Sequence, residues 1–309
     1  MLLHGEKGWG EFAPFAEYDA PESAAWLAAA HEAATFGWPP PRRDRIPVNV
    51  TVPACDRGRA ARIVAESGAS TAKVKVAEAG QSIADDLERV AAVREVLGRE
   101  GRIRVDANGA WPDPAAAAAA IRQLDREVGL EYVEQPCRTV AELAAVRRLV
   151  EVPIAADESI RRAVDPLEVV RAEAADIAVV KVSPLGGVAA ALELVERIGL
   201  PVVVSSALET SVGIAAGLAL AAALPELPYA CGLGTVSLLE RDVVAEPLVP
   251  RDGFLTVRAV APTADLLAGV AAPAEAVQRW ERRLAAVEAE LSRRFGRSVR
   301  SAPVLRGPS

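Results

Sequence analysis

Short runs of β-branched residues recur along most of this chain at intervals of about 23 to 31 residues, the length needed for one strand, one helix and two short loops. No other feature constrains the fold as much. The runs cover residues 46–52, 71–76, 102–106, 131–134, 152–157, 176–182, 200–205 and, more weakly, 228–231, with Ala/Leu/Glu/Arg stretches between them. Alternating strand and helix patterns place the strands in a parallel sheet covered by helices. About eight such units predict a (β/α) barrel, with an open doubly wound sheet as the alternative.

The helices carry recognisable starts. Thr139-Val140-Ala141-Glu142 is a capping box, and Asp113-Pro114 and Asp165-Pro166 each set a capping acid before a proline suited to a first helical turn. The alanine run at 115–120 is a strong helix former and reads as a barrel helix. Both ends depart from the rhythm. Residues 2–11, broken by Gly5-Glu6-Lys7-Gly8, predict a hairpin, and residues 20–36 a helix. After residue 233 come short strands around 253–257, a charged helix over 275–295, and a tail over the last dozen residues. The expectation is a barrel over 45–233 and a small second domain built from residues 1–44 and 234–309.

Composition narrows the function classes. A net charge of −7 and a pI near 5.2 leave no basic stripe for nucleic acid. The longest apolar stretch, 211–224, is short of the roughly 20 residues that span a bilayer, so it predicts a buried helix. No cationic segment followed by a long apolar one opens the sequence. Cys55, Cys137 and Cys231 lie too far apart for a Cys-x-x-Cys metal site, and their odd number suits no disulfide framework. A cytoplasmic, reduced protein acting on a small molecule is the expectation, with no nucleic acid or membrane partner.

In a βα barrel, reacting groups sit at the C-terminal ends of strands. Here those ends read Lys73-Val74-Lys75, Asp106-Ala107-Asn108, Glu134-Gln135-Pro136, Asp157-Glu158-Ser159 and Lys181-Val182-Ser183. A single acid in such a place is commonly a helix cap. Three on successive strands, with no histidine or cysteine nearby, form the hard oxygen set that Mg²⁺ prefers. Lys73 and Lys75, two apart on a strand, face the same side. Of 35 basic residues only four are lysines, and three of those four stand at this rim. Arginine does not deprotonate, whereas an amine near like charge can become a usable base; an unperturbed lysine is neutral in only about one molecule in a few thousand at pH 7. The chemistry therefore calls for an amine whose pKa is lowered. His4 and His31 precede the barrel and read as ordinary residues of the small domain. Ser205 and Ser206 close the seventh strand with hydroxyls suited to a substrate carboxylate, or simply begin a helix.

This ordered series resembles the enolase superfamily, in its muconate-lactonizing-like subgroup. The segments Trp9-Gly10-Glu11-Phe12-Ala13-Pro14-Phe15, Ala155-Ala156-Asp157-Glu158-Ser159 and Ser205-Ser206-Ala207-Leu208-Glu209-Thr210-Ser211 are most similar to a branch that dehydrates 2-succinyl-6-hydroxy-2,4-cyclohexadiene-1-carboxylate in menaquinone biosynthesis. The resemblance implies a (β/α)7β TIM-like barrel with an α+β capping domain from both termini. It implies Mg²⁺, replaceable by Mn²⁺, held by Asp106, Glu134 and Asp157. It makes Lys75 the base that takes a proton α to a carboxylate and then the acid that helps hydroxide leave. Lys181 would stabilise the enediolate and Lys73 would tune Lys75. The family usually begins with a further strand and mobile loop before the hairpin, whereas here Met1 falls almost at the hairpin. That implies either a late start or a member lacking part of its lid. An N-acylamino acid racemase with Lys75 and Lys181 as two bases is the nearest alternative. A dipeptide epimerase fits less well, since Cys231-Gly232-Leu233 lacks an Asp-x-Asp pattern. A Schiff-base aldolase using Lys181 and an inactive binding barrel complete the alternatives.

Overall fold

The structure, a computed structural model, describes residues 1–295, so the expected tail lies outside the described residues. The chain begins with an antiparallel hairpin, β1 (Leu2–Gly5) and β2 (Gly8–Glu11), followed by helix α1 (Ala20–Thr35), which Asp19 and Glu22 start with a capping box. The hairpin lies flat on α1. A Cβ on Gly10 would run into the Ala30 carbonyl, so only glycine permits that approach.

The first predicted strand divides in two, β3 (Arg45–Pro47) and β4 (Val50–Val52). Its halves have different partners: β3 pairs antiparallel with a strand near the C-terminal end, β4 with the next barrel strand. Val48 N donates to Gly253 O (2.8 Å) and Asn49 N to Cys231 O (3.0 Å), so these two residues make the change of partner.

From β4 the βα rhythm runs as predicted. It comprises α2 (Arg57–Ser67), β5 (Thr71–Lys75), α3 (Ile83–Leu97), β6 (Arg102–Asp106), α4 (Pro114–Val128), β7 (Leu130–Glu134) and α5 (Val140–Arg147). It continues through β8 (Ile154–Ala156), short α6 (Glu158–Arg161) and α7 (Glu168–Arg171), β9 (Ile177–Lys181), short α8 (Val182–Leu185), α9 (Val188–Ile198), β10 (Val202–Ser205) and α10 (Ser211–Ala223). Strands β4 to β10 form one parallel seven-stranded sheet in sequential order. The apolar stretch 211–224 becomes α10, buried on nearly every side.

The predicted eighth strand at 228–231 shrinks to Cys231 and Gly232, which bridge Val48 beside one edge and Ser205 at the other. Cys231 N donates to Pro47 O (2.7 Å) and Gly232 N to Val204 O (2.8 Å), so two residues satisfy both edges. Pro228 has no N–H to extend the ladder.

Period-two alternation sorts the sheet faces. Val74, Val105, Val133, Val180 and Val204 pack outward into the large cluster under the helices. Tyr132, Ala155, Val179 and Val203 form a smaller cluster inside. Each fully buried valine contributes about 1.5–3 kcal/mol. After the sheet come β11 (Phe254–Thr256), which pairs with β3, then α11 (Ala264–Gly269) and α12 (Ala274–Phe295). Leu284, Val287 and Leu291 of α12 share a buried cluster with Leu3, Phe12, Trp26 and Leu27. Arg283 ties the two ends further, donating to Phe15 O (2.5 Å) and Tyr18 O (2.9 Å).

Candidate active site

Strand register brings the expected residues to one rim. Lys75 is level with Asp106, Asp106 with Glu134, and Lys181 with Ser205. Asp157 follows β8 directly. On each strand the residue two earlier shares the inward face, so Arg104 and Tyr132 lie one layer beneath Asp106 and Glu134. Arg104 is fully buried; it donates to Glu131 Oε2 (2.5 Å from Nη2), to the Tyr132 hydroxyl (2.9 Å) and to Ala230 O (2.8 Å).

At the rim, lysines thread between the acids. Lys75 Nζ donates to Asp106 Oδ2 (2.6 Å) and Asn108 Oδ1 (2.6 Å). Lys73 Nζ lies 3.1 Å from Asp106 Oδ2 and 3.0 Å from Glu134 Oε1. Lys181 Nζ donates to Asp157 Oδ2 at 2.5 Å. All three carboxylates are buried, and of the three lysine side chains Lys75 is the most open, 28% exposed against 10% for Lys73 and 11% for Lys181. Among the described residues no three acids, histidines or cysteines stand in metal-holding geometry. The ammonium groups occupy the space between the carboxylates.

The residues fit a hard divalent cation nonetheless. The donors are all carboxylate oxygens on neighbouring strands. Asp157 Oδ1 is buried with no hydrogen-bond donor, although Arg161 Nε stands 3.2 Å away. Burial and the nearby Asp106 push the Glu134 carboxyl up to about 7, so its charge is under-compensated. Burial acts the same way on Asp106, but Lys73 and Lys75 outweigh it and hold that carboxyl well below the usual range. Asp157 is likewise lowered, by Lys181 and Arg161 against burial. At Lys73 burial lowers the amine's pKa, yet Glu134 and Asp106 more than offset this and raise it well above its ordinary value.

Ser205 and Ser206 are buried beside Lys181, with hydroxyls turned to the edge bridge. Ser206 Oγ donates to Gly232 O (2.9 Å) and meets Thr235 Oγ1 at 2.9 Å, while Ser205 Oγ reaches Gly232 O at 3.4 Å. His4 stacks on Trp9 in the hairpin and His31 is buried in α1, both away from the rim. Lys7 is exposed in the hairpin turn.

Sequence reasoning missed several side chains. Gln135 has a left-handed φ of 40° and is buried; its Oε1 accepts from Asp157 N (3.0 Å) and its Nε2 donates to Ser159 Oγ (2.8 Å), fixing the loop that carries Asp157. Asn108, also left-handed at φ 46°, meets Lys75. Both stood in the quoted motifs, but their side-chain roles appear only with the turn geometry. Arg161 reaches Asp157 and Glu158 from the next helical turn and also donates to the Tyr18 hydroxyl. Its i, i+4 spacing to Asp157 was the available signal.

Residues 56–262 match the family described as enolase C-terminal domain-like, and residues 1–34 the one described as enolase N-terminal domain-like. The o-succinylbenzoate synthase of Thermobifida fusca (strain YX) is 63% identical over 289 residues, 94% of this chain and 90% of that protein. The one from Mycobacterium bovis (strain BCG / Pasteur 1173P2) is 56% identical over 296 residues, 96% of this chain and 89% of the relative. Among solved structures, muconate cycloisomerase from Pseudomonas fluorescens superposes with a TM-score of 0.67 at 28% identity, over 80% of this chain and 72% of that one. A dipeptide epimerase from Enterococcus faecalis V583 matches at 28% identity and a TM-score of 0.62, over 72% of this chain and 65% of its own, a little under two thirds. A second structure of it, complexed with Mg and dipeptide L-Leu-L-Tyr, matches at 27% and 0.62, over 78% of this chain and 69% of that one.

Proposed function

The chain belongs to the enolase superfamily, among its o-succinylbenzoate synthases, and from that premise we propose how its rim carries out their reaction. The substrate is 2-succinyl-6-hydroxy-2,4-cyclohexadiene-1-carboxylate, the product o-succinylbenzoate, and the pathway menaquinone biosynthesis. Lys75 takes the proton α to the ring carboxylate and returns it to the departing 6-hydroxyl, so that one C–H and one C–O bond break, a ring double bond forms and water leaves. Lys181 faces the same space from the far end of the acid series, and its fixed charge stabilises the negative charge left after proton removal. Lys73, between Asp106 and Glu134, tunes Lys75 through the shared Asp106. Asp106, Glu134 and Asp157 hold Mg²⁺, with Mn²⁺ able to substitute. Bound there, the ion supplies Lewis-acid stabilisation of charge on the substrate carboxylate. Ser205 and Ser206, with the neighbouring amides, bind a substrate carboxylate.

The observation that carries this reading is the order along the rim: Lys75 on Asp106, Lys73 between Asp106 and Glu134, Lys181 on Asp157. It leaves one amine at each end of a carboxylate series, the more open one placed to move a proton. Two further parts of the reading concern shape. The seven strands and the Cys231–Gly232 bridge make a complete (β/α)7β barrel over 45–233, which the bridging of both edges supports. Residues 1–44 and, of the expected 234–309, the described 234–295 make the cap, supported by the shared cluster of Leu3, Trp26, Val287 and Leu291. A cytoplasmic location and a small carboxylate substrate go with this activity; among the described residues no helix is long and apolar enough to cross a membrane.

A direct assay of the purified chain with the cyclohexadiene substrate, with and without EDTA, tests the reading. Product formation that EDTA abolishes and Mg²⁺ restores is expected. A chain that binds Mg²⁺ and is folded but forms no o-succinylbenzoate would refute it. The amines at both ends of the series also suit an N-acylamino acid racemase. Solvent deuterium appearing at the α-carbon of an N-succinylamino acid would show that second activity.

A further inference from the structure

Three rim loops in succession, those after β8, β9 and β10, are gripped by side chains from residues 1–36. After β8, Arg161 donates to the Tyr18 hydroxyl and Arg162 to Glu22 Oε1 at 2.9 Å. After β9, the Glu32 carboxylate accepts from Val188 N (2.6 Å) and Ala189 N (2.9 Å), the first turn of α9. After β10, the Glu11 carboxylate accepts from Thr210 Oγ1 (2.6 Å), Thr210 N (3.1 Å) and Gly213 N (2.9 Å) at the start of α10.

The first turn of a helix leaves N–H groups free and concentrates partial positive charge. Neither α9 nor α10 has an acid in its own first turn, and the residue before α9 is Gly187, which has no side chain to offer. Both carboxylates come instead from a segment more than 150 residues earlier, at separations of 156 and 199. The backbone is shaped to receive them. A Cβ on Gly187 would run into the Glu32 carboxylate, and one on Gly213 would stand 2.9 Å from Glu11 Oε2.

The contacts continue toward the chemistry. Glu209, beside Thr210, accepts from Ser183 Oγ (2.5 Å), two residues past Lys181, and from Ala207 N (3.3 Å), next to Ser206. Ala207 itself packs in the cluster formed by Leu3, Phe12 and Trp26. The loops bearing Lys181 and Ser205–Ser206 thus lean on one another and on the N-terminal segment.

We propose that Glu11 and Glu32 are positioning residues of the reaction: each caps a barrel helix from outside and so holds the β9 and β10 loops, with Lys181 and Ser205–Ser206, against the segment that covers them. The kinetic part rests on the dehydration reading above; the structural part does not. Glu11→Ala and Glu32→Ala are compared with wild type by amide hydrogen exchange over residues 182–190 and 205–213, Mg²⁺ titration, and steady-state kinetics at a temperature where circular dichroism shows every variant folded. Exchange in these two segments should rise about tenfold or more, KM should rise about tenfold with a smaller fall in kcat, and Mg²⁺ affinity should stay within about twofold. Glu11→Gln, which keeps an acceptor but loses the charge, should fall between wild type and Glu11→Ala. Wild-type exchange in both segments, or a lowered melting temperature with KM and kcat untouched, would overturn the proposal. Should Glu11→Ala fail to fold, Glu11→Gln and Glu32→Ala give the same decision. An inactive wild type would refute the dehydration reading, while the exchange result would still decide the positioning role.

Discussion

On the β5–β7 side of the rim, the functional groups hold one another: Lys75 to Asp106 and Asp106 to Lys73 between adjacent strands, then Lys73 across β6 to Glu134, each step 2.6 to 3.1 Å. On the β8–β10 side, Lys181 hydrogen-bonds Asp157 alone among the described residues, and the loops around that pair rest on Tyr18, Glu32 and Glu11. Among the described residues no hydrogen bond or ion pair runs from residues 1–36 to the loops after β5, β6 or β7. One half of the site is fixed by the sheet and the other by a segment laid over it. Lys75, the proposed base, therefore stands on the open side and Lys181, the proposed fixed cation, on the clamped side. This division suits a reaction in which one amine must shuttle a proton while the other must stay put.

The largest effect should come from the clamped side's own cation. Lys181→Ala should lower kcat about a thousandfold, since it removes charge stabilisation, and should also lower the melting temperature, since it leaves the buried Asp157 carboxylate without its ion-pair partner; steady-state assay and thermal unfolding check both. A loss below tenfold would mean that the β8–β10 half contributes position and not charge. Next comes the packing under the clamp. Trp26→Ala, in the cluster shared by α1 and α12, should cost about 3–5 kcal/mol by denaturant unfolding and should raise exchange in the β9 and β10 loops before the β5–β7 loops. Equal loosening of both halves would erase the distinction.

A pH test follows from Glu209. Burial, with the charge of Glu11 behind it, pushes this carboxyl up to about 7. Between about pH 4.5 and 7 the folded chain holds a proton that the unfolded chain has released, so this group makes stability fall as pH rises, by about 3 kcal/mol in all. Glu209→Gln should remove that slope, gaining on wild type above pH 7 and matching it near pH 4.5. Parallel stability curves for the two proteins would place Glu209 in an ordinary environment. The smallest effect is expected at Tyr18→Phe, which deletes one hydroxyl from the β8 clamp and should cost about 1 kcal/mol, with a KM change smaller than that of Glu11→Ala.

The same division separates what the sequence shows from what it hides. The β5–β7 half was legible because period-two alternation and strand ends are local patterns: Lys73, Lys75, Asp106 and Glu134 follow from where each run stops. Asp157 and Lys181 were legible for the same reason, but their supports were not. Arg161 to Tyr18 spans 143 residues and Glu11 to Thr210 spans 199, and such contacts leave no periodicity. The split of residues 46–52 was hidden likewise, since β3 takes its partner from Phe254–Thr256. The eighth strand was overdrawn because composition cannot show that two residues suffice to bridge two edges. The direction at Lys73 depended on distances: carboxylates at 3.0 and 3.1 Å outweigh the effect of burial.

The most direct test of the account is turnover of the cyclohexadiene substrate by Lys75→Ala, measured beside Mg²⁺ binding by calorimetry. The account predicts that o-succinylbenzoate formation falls at least about a thousandfold while Mg²⁺ affinity stays within a few-fold of wild type. Wild-type turnover by that variant would contradict it.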